Sequence, residues 1–344
     1  MQVKTFFLSF FLLTAFASAQ NKVITLESIW DGTFSTRGIP SLHSMNDGKR
    51  YATYNFNRTD RSISVDVYDY QTNEKTETVL STSDNQNLPR FSNYTFSPDE
   101  SKLLLASEVE PIYRRSSKGI YFVVDVGGKN LIQISENQIQ EPTFSPDATK
   151  VAYGFNNNLF VFDLSTKITT QITFDGQTNA IINGITDWVY EEEFSFVRAF
   201  EWNADGSQIG YIKFDESQVP EFSMDIYDQS LYPKQQVFKY PKAGEANSLV
   251  SLHIYHLGND ISEEVNLPQT YEDFYIPRIQ WTQNKNKLSA QYMNRHQNKL
   301  DLWLIDTSSK TAELVLTETD AAYVDVTFDL SFLQDNSFIW TSEK

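Results

Sequence analysis

Cysteine is absent from all 344 residues, so no disulfide can staple the fold and stability must come from a packed core. The chain is long enough to bury a large one, and its 14% aromatic content supplies the bulk. Histidine is scarce: His43, His253, His256 and His296 are the whole supply. His253 and His256 fall in LHIYHL, which reads as a strand. An offset of three puts them on opposite faces, so they cannot share a metal. All four read as structural, and no metal or cofactor is expected. The pattern G-x-S-x-G is missing, as are a phosphate loop and a dinucleotide fingerprint. No catalytic machinery is recognisable in the chain itself. Positive charge is also short, with 28 Lys and Arg against 45 Asp and Glu and a formal charge of −17. That balance disfavours nucleic acid and anionic membranes as partners, since both would be repelled. It suits cationic ligands, and equally suits solubility alone.

What is present begins with MQVKTFFLSFFLLTAFASAQ. Lys4, an apolar run from Phe6 to Phe16 and the small residues Ala17, Ser18 and Ala19 form a secretory leader over residues 1–19, cleaved before Gln20. The run is too short for a stable membrane anchor. No cysteine follows it, which excludes a lipid anchor on that residue. The mature chain is expected to be exported, to a periplasm or beyond. Export without disulfides fits a bacterial envelope better than an animal cell surface. Two N-x-T sequons, at Asn57 and Asn93, would matter only in a eukaryotic secretory route.

A repeat runs through the rest. FSPDESKLLLAS (96–107), FSPDATKVAYGF (144–155) and WNADGSQIGYIKF (202–214) share an aromatic residue, a polar turn with Asp or Gly, and an alternating apolar strand. Weaker copies start near residues 42, 281 and 332. Asp99, Asp147, Asp205 and Asp335 suit the tight reversals. A second half follows most copies, as strand, Asp, polar turn, strand, for example NLFVFDLSTKITTQIT (158–173). From Asp47 to Asp99 to Asp147 the spacing is 52 and 48 residues, which is four strands per unit, the size of a propeller blade. The fold class is therefore all-β, a β-propeller of four-stranded blades, with little helix outside residues 187–200. Five units are complete and a sixth has only begun at Lys344. An incomplete ring of this kind leaves strand edges open, and it predicts a fragment of a longer protein that aggregates or folds poorly alone. The period breaks between Asp205 and Asn284, an interval of 79 residues, and insertions in repeats map to loops that often carry binding.

The unit before that interval, which contains DWVYEEEF (187–194), is also longer than its neighbours. Three adjacent carboxylates repel one another, and composition alone favours a solvated patch. The functional reading has Trp188 and Phe194 anchoring the segment so that Glu191, Glu192 and Glu193 sit at a cavity rim and take an ammonium group. One such pair at about 4 Å and an effective dielectric near 20 contributes roughly 4 kcal/mol before desolvation. Arg114 and Arg115, in PIYRRSSKG, read by default as a solvated turn.

NGITDWVYEEEF followed by AFEWNADGSQIGYIKFDES, with the later VPEFSMDIYDQSLYPKQQVFKYPKAGEAN, resembles the dipeptidyl peptidase IV family of serine exopeptidases. The similarity is strongest over residues 90–300. It implies an eight-bladed propeller, of which residues 20–344 would be the N-terminal part, about five to six blades. It also implies a following α/β-hydrolase domain, which this chain lacks. Such enzymes remove dipeptides from peptide N-termini, prefer proline or alanine second, and usually act as homodimers. By position in the WVYEEE motif, the substrate's α-ammonium falls to Glu192 and Glu193, with Glu191, Trp188 and Tyr190 in support. The arginine that meets the substrate's backbone carbonyl falls on Arg114, with Arg115 the near alternative. The expected partner is thus a peptide N-terminus. The other readings are a non-catalytic envelope propeller that binds peptides or proteins, and a pseudoenzyme that pairs with a true peptidase.

Overall fold

The computed structural model describes residues 23–36, 38, 41–268 and 271–343; the leader expected over residues 1–19 lies outside them. The contacts divide the chain at Ser41. Before that point a short helix, α1 (Leu26–Trp30), is closed by a capping box in which Thr25 and Ser28 satisfy each other's backbone. It buries none of its residues, and sequence periodicity had no signal for it.

From Leu42 onward, period-two alternation becomes consecutive antiparallel sheets. The first holds β1 (Leu42–Ser44), β2 (Arg50–Phe56), β3 (Ile63–Asp69) and β4 (Lys75–Ser81). The second holds β5 (Asn93–Phe96), β6 (Lys102–Pro111), β7 (Ser117–Asp125) and β8 (Ile132–Gln133). The third holds β9 (Gln140–Phe144), β10 (Lys150–Phe155), β11 (Asn158–Asp163) and β12 (Thr169–Gln171). The fourth is irregular. Both β13 (Ile181–Asn183) and β14 (Phe200–Trp202) pair with β15 (Gln208–Asp215), which continues to β18 (Leu249–His256) and β19 (Ile261–Glu264). A separate hairpin of β16 (Glu221–Ile226) and β17 (Lys234–Lys239) leaves this sheet. The fifth holds β20 (Phe274–Trp281), β21 (Lys287–Asn294), β22 (Lys299–Asp306) and β23 (Thr311–Thr319), and a β24–β25 pair (Ser331–Phe332 and Phe338–Ile339) follows. These are propeller blades, as the repeat predicts.

Alternation explains how the blades stack. Leu103 and Leu105 on β6 pack with Val65 and Val67 of the first blade, whereas Leu104 between them packs with Val151 and Phe162 of the third. On β15, Ile209 and Tyr211 join the core with the third blade, and Ile212 and Phe214 join the core with the fifth. The second, third and fourth blades are thus buried on both faces, with one apolar core at each interface. Tryptophans at the ends of first strands add cross-blade bonds: Trp202 Nε1 donates to the Thr143 carbonyl at 3.2 Å and Trp281 Nε1 to that of Glu201 at 2.9 Å.

The recurrent aspartates are turn devices. Asp47, Asp99, Asp147, Asp205 and Asp335 each accept the backbone N–H two residues on, at 2.8–3.1 Å. In the outer turns Asp163 and Asp306 each accept hydroxyl and backbone N–H groups, led by the Ser308 hydroxyl at Asp306 and the Thr166 N–H at Asp163, which hold their carboxyls down to about 2. Much of the negative charge therefore serves local folding.

Candidate functional site

The fourth blade carries the site because its first strand is interrupted. Between β13 and β14 the chain makes an excursion whose neck is itself paired: Ala199 N–H donates to the Gly184 carbonyl at 2.9 Å, Thr186 N–H to that of Val197 at 2.9 Å, and Ile185 bridges Arg198. Gly184 is required at the base. Its φ is +71°, and a Cβ there would stand 2.6 Å from Leu159. At the tip lies a six-residue helix, α2 (Trp188–Glu193).

A helix of under two turns does not hold itself, so each part is tied to a neighbour. Asp187 caps it, taking the Tyr190 N–H on Oδ1 at 2.9 Å and the Ser248 hydroxyl on Oδ2 at 2.5 Å. Tyr190 is 1% exposed among Phe194, Phe214 and Tyr275, and its hydroxyl accepts the Ile276 N–H at 2.8 Å. Trp188 packs on Tyr240, with ring centroids 4.3 Å apart. Both aromatic residues named as supports are thus structural anchors.

The three glutamates have three different surroundings. Glu191 is buried, at 1% exposure, and its Oε1 accepts the backbone N–H groups of Arg115 at 2.5 Å and Ser116 at 2.8 Å. Those residues form the tip of the β6–β7 hairpin, so Glu191 fixes a loop of the second blade to the helix of the fourth. From that tip Arg114 reaches Glu192, its Nε standing 3.1 Å from Oε1 and 3.0 Å from Oε2. Glu193 is exposed, and no hydrogen bond or ion pair to it occurs among the described residues. Arg115 turns its guanidinium elsewhere, donating from Nη2 to Ser195 Oγ at 3.0 Å. Arg114 and Glu192 therefore meet across 78 residues of sequence, and Glu193 follows on the same helix as an exposed carboxylate.

Behind α2 lies a polar cavity of about 210 Å³, lined among others by Tyr113, Asp187, Glu191, Glu216 and Lys239. Glu216 is 6% exposed and makes no side-chain hydrogen bond among the described residues. Burial, with Asp187 nearby, pushes its carboxyl up to about 7. Burial also raises Asp187, against its hydrogen bonds. The folded state therefore holds a proton on Glu216 that the unfolded chain releases near pH 4.5. Stability from this group is complete below that pH and is lost as pH rises through about 7. Glu216→Gln should remove this slope and gain roughly 2–3 kcal/mol over the parent at pH 8, with little gain at pH 4. Urea unfolding at the two pH values checks it, and equal gains at both would contradict it.

Among the described residues, no cluster of His, Asp and Glu is arranged to hold a metal, and no helix is long and apolar enough to cross a membrane. His253 instead stacks on Tyr211, with centroids 5.2 Å apart, and bonds Ser251 Oγ at 2.8 Å.

The fold is thus a propeller whose interrupted fourth blade presents Glu192 beside Arg114. The profile described as "Dipeptidyl peptidase IV (DPP IV) N-terminal region" matches residues 97–344, and the chain belongs to that family. It is 30% identical over 249 residues to dipeptidyl aminopeptidase B of Saccharomyces cerevisiae, covering 70% of this chain and 30% of that protein. To dipeptidyl peptidase 4 of Felis catus it is 33% identical over 238 residues, covering 65% and 31%. The crystal structure of Porphyromonas gingivalis dipeptidyl peptidase 4 superposes with a TM-score of 0.87 at 35% identity, over 94% of this chain and 46% of that one. The chain thus spans about a third of the curated relatives it matches.

Sequence reading passed over Asp187, Ser248, Glu216 and Arg278. Asp187 could have been found as an Asp three residues before a buried aromatic residue, the spacing of a helix cap. Ser248 bonds Asp187 across 61 residues and Arg278 bonds the Phe194 carbonyl across 84, and no local pattern marks them.

Proposed function

We propose that this chain is the substrate-binding propeller portion of an exported dipeptidyl peptidase IV-like serine exopeptidase, which releases Xaa-Pro and Xaa-Ala dipeptides from peptide N-termini. The observation that carries the reading is Glu192 held by Arg114, with an exposed Glu193 next to it on the same short helix. A substrate α-ammonium entering between them meets two carboxylates. Arg114, held on Glu192, remains close enough to donate to the first backbone carbonyl of the same peptide. Such a clamp counts residues from the N-terminus, so the cleavage position becomes a matter of geometry. The α-amine, with a pKa of about 7.7–8.0, is mostly charged at neutral pH. The nucleophile and its partners would be supplied by a hydrolase domain outside this sequence. In the longer enzyme, a peptide headed Xaa-Pro should lose its dipeptide while its N-acetylated form is left intact. Cleavage of both at similar rates would refute the clamp.

Export and pairing of two copies belong to the same proposal. Residues 1–19 carry the leader pattern. The β16–β17 hairpin, which projects from the fourth blade, presents Tyr227, Leu231 and Tyr232 at 71%, 87% and 78% exposure. Apolar side chains so exposed suit a protein interface. In the longer enzyme, the expected secreted form starts at Gln20 and sediments as a dimer that Leu231→Ser with Tyr232→Ser converts to monomer. A product retaining the leader, or one monomeric without those changes, would contradict this.

A further inference from the structure

The carbonyl end of α2 is tied by a single side chain from the next blade. Arg278 lies on β20, where the pairing with β21 shifts register between Tyr275 and Arg278. Its Nη2 donates to the carbonyl of Phe194, the residue that ends the helix, at 2.6 Å, and its Nη1 donates to the carbonyl of Pro277. The guanidinium lies over the Phe328 ring, 3.9 Å from its centroid, and over that of Phe196 at 4.8 Å. Its Nε is buried without a partner. Among the described residues it has no carboxylate partner, and burial alone pulls its pKa down to about 10. In a chain carrying 45 acidic groups, an arginine spent on a backbone carbonyl and two rings is doing something that charge pairing does not explain.

We propose that Arg278 is a positioning residue for the amine clamp, one that caps the carbonyl end of α2 and so fixes where Glu193 points. The inference rests on the clamp reading and deepens it. Glu193 immediately precedes the capped residue, and among the described residues it has no bond that could orient it. Whatever sets the backbone at Phe194 therefore sets the carboxylate. A cation is also favoured at the negative end of a helix. The role needs the planar fork of arginine, since two carbonyls and two ring faces are engaged together. Lysine can supply the charge and one donor only.

The test compares the affinities of the full chain for the tripeptide Ala-Pro-Ala and its N-acetyl form, read by calorimetry together with the melting temperature. Arg278→Met should lower the ratio of the two affinities about tenfold, the scale of one charge-assisted hydrogen bond. Arg278→Lys should fall between Met and the parent. Phe328→Leu, at a residue 66% exposed, should lower the ratio about twofold with no change in melting. If the parent shows the preference and a folded Arg278→Met keeps it, the inference is overturned and the clamp stands. If the parent binds both peptides alike, the clamp reading falls and this inference falls with it. Should Arg278→Met not fold, Phe328→Leu decides, and an unchanged ratio there overturns the role.

Discussion

Glu193→Gln is expected to lower the affinity for a free-amine peptide by roughly 10–100-fold, the loss of one hydrogen-bonded charge pair. Affinity for the N-acetylated peptide and the melting temperature should stay where they were. The side chain is exposed and bonded to nothing among the described residues, so its removal costs the fold little. Glu192→Gln should do the same damage and one thing more. Both Glu192 oxygens lie within 3.1 Å of Arg114 Nε, so its loss frees the arginine as well as the ammonium. The two variants then differ in a readable way. Glu193→Gln should leave recognition of the first carbonyl intact, whereas Glu192→Gln should weaken both. Full affinity in both variants would mean that the amine is read elsewhere.

Glu191→Ala is expected to act on the fold first and on the site as a consequence. Its carboxylate is buried and satisfies two backbone N–H groups, those of Arg115 and Ser116. Truncation leaves the Ser116 donor buried without an acceptor, at about 1–3 kcal/mol, and the half-buried Arg115 donor adds less. A total loss near 3 kcal/mol should appear as a lower urea midpoint. Glu191→Gln keeps one acceptor oxygen and should recover about half. Because the same bonds hold the Arg114 loop against α2, peptide affinity should fall with stability. An unchanged midpoint for Glu191→Ala would show that the loop is held by something else. The middle glutamate of a charged run would ordinarily be the least consequential; here the first of the three is the structural one.

Much of the architecture was legible because each blade repeats one short code. An aromatic residue, an aspartate two or three positions on and an alternating strand are local signals, and Asp99, Asp147 and Asp205 fold as that code reads. The interrupted fourth blade was legible only as a broken period. Sequence spacing places an insertion near residues 187–200, but not the paired neck at Gly184 and Ala199 that makes it rigid. At the site, the glutamates announced themselves by being adjacent. Their division of labour did not. Whether a glutamate faces a hairpin tip, an arginine or solvent is decided by a segment more than 70 residues away. Arg278 gave no signal at all, since an isolated arginine in a strand ordinarily reads as a solvated side chain. The short helix α1 was missed because five residues are too few to show a period.

The central claim is that Glu192 and Glu193 together hold a peptide's terminal ammonium. Calorimetric titration of the unmodified chain with Ala-Pro-Ala and with its N-acetyl form at pH 7 tests it most directly. The free peptide should bind at least about tenfold more tightly, the scale of one charge-assisted hydrogen bond. That advantage should fade as pH rises past about 8 and the amine loses its proton. Equal affinity for the two peptides across that range would contradict the clamp.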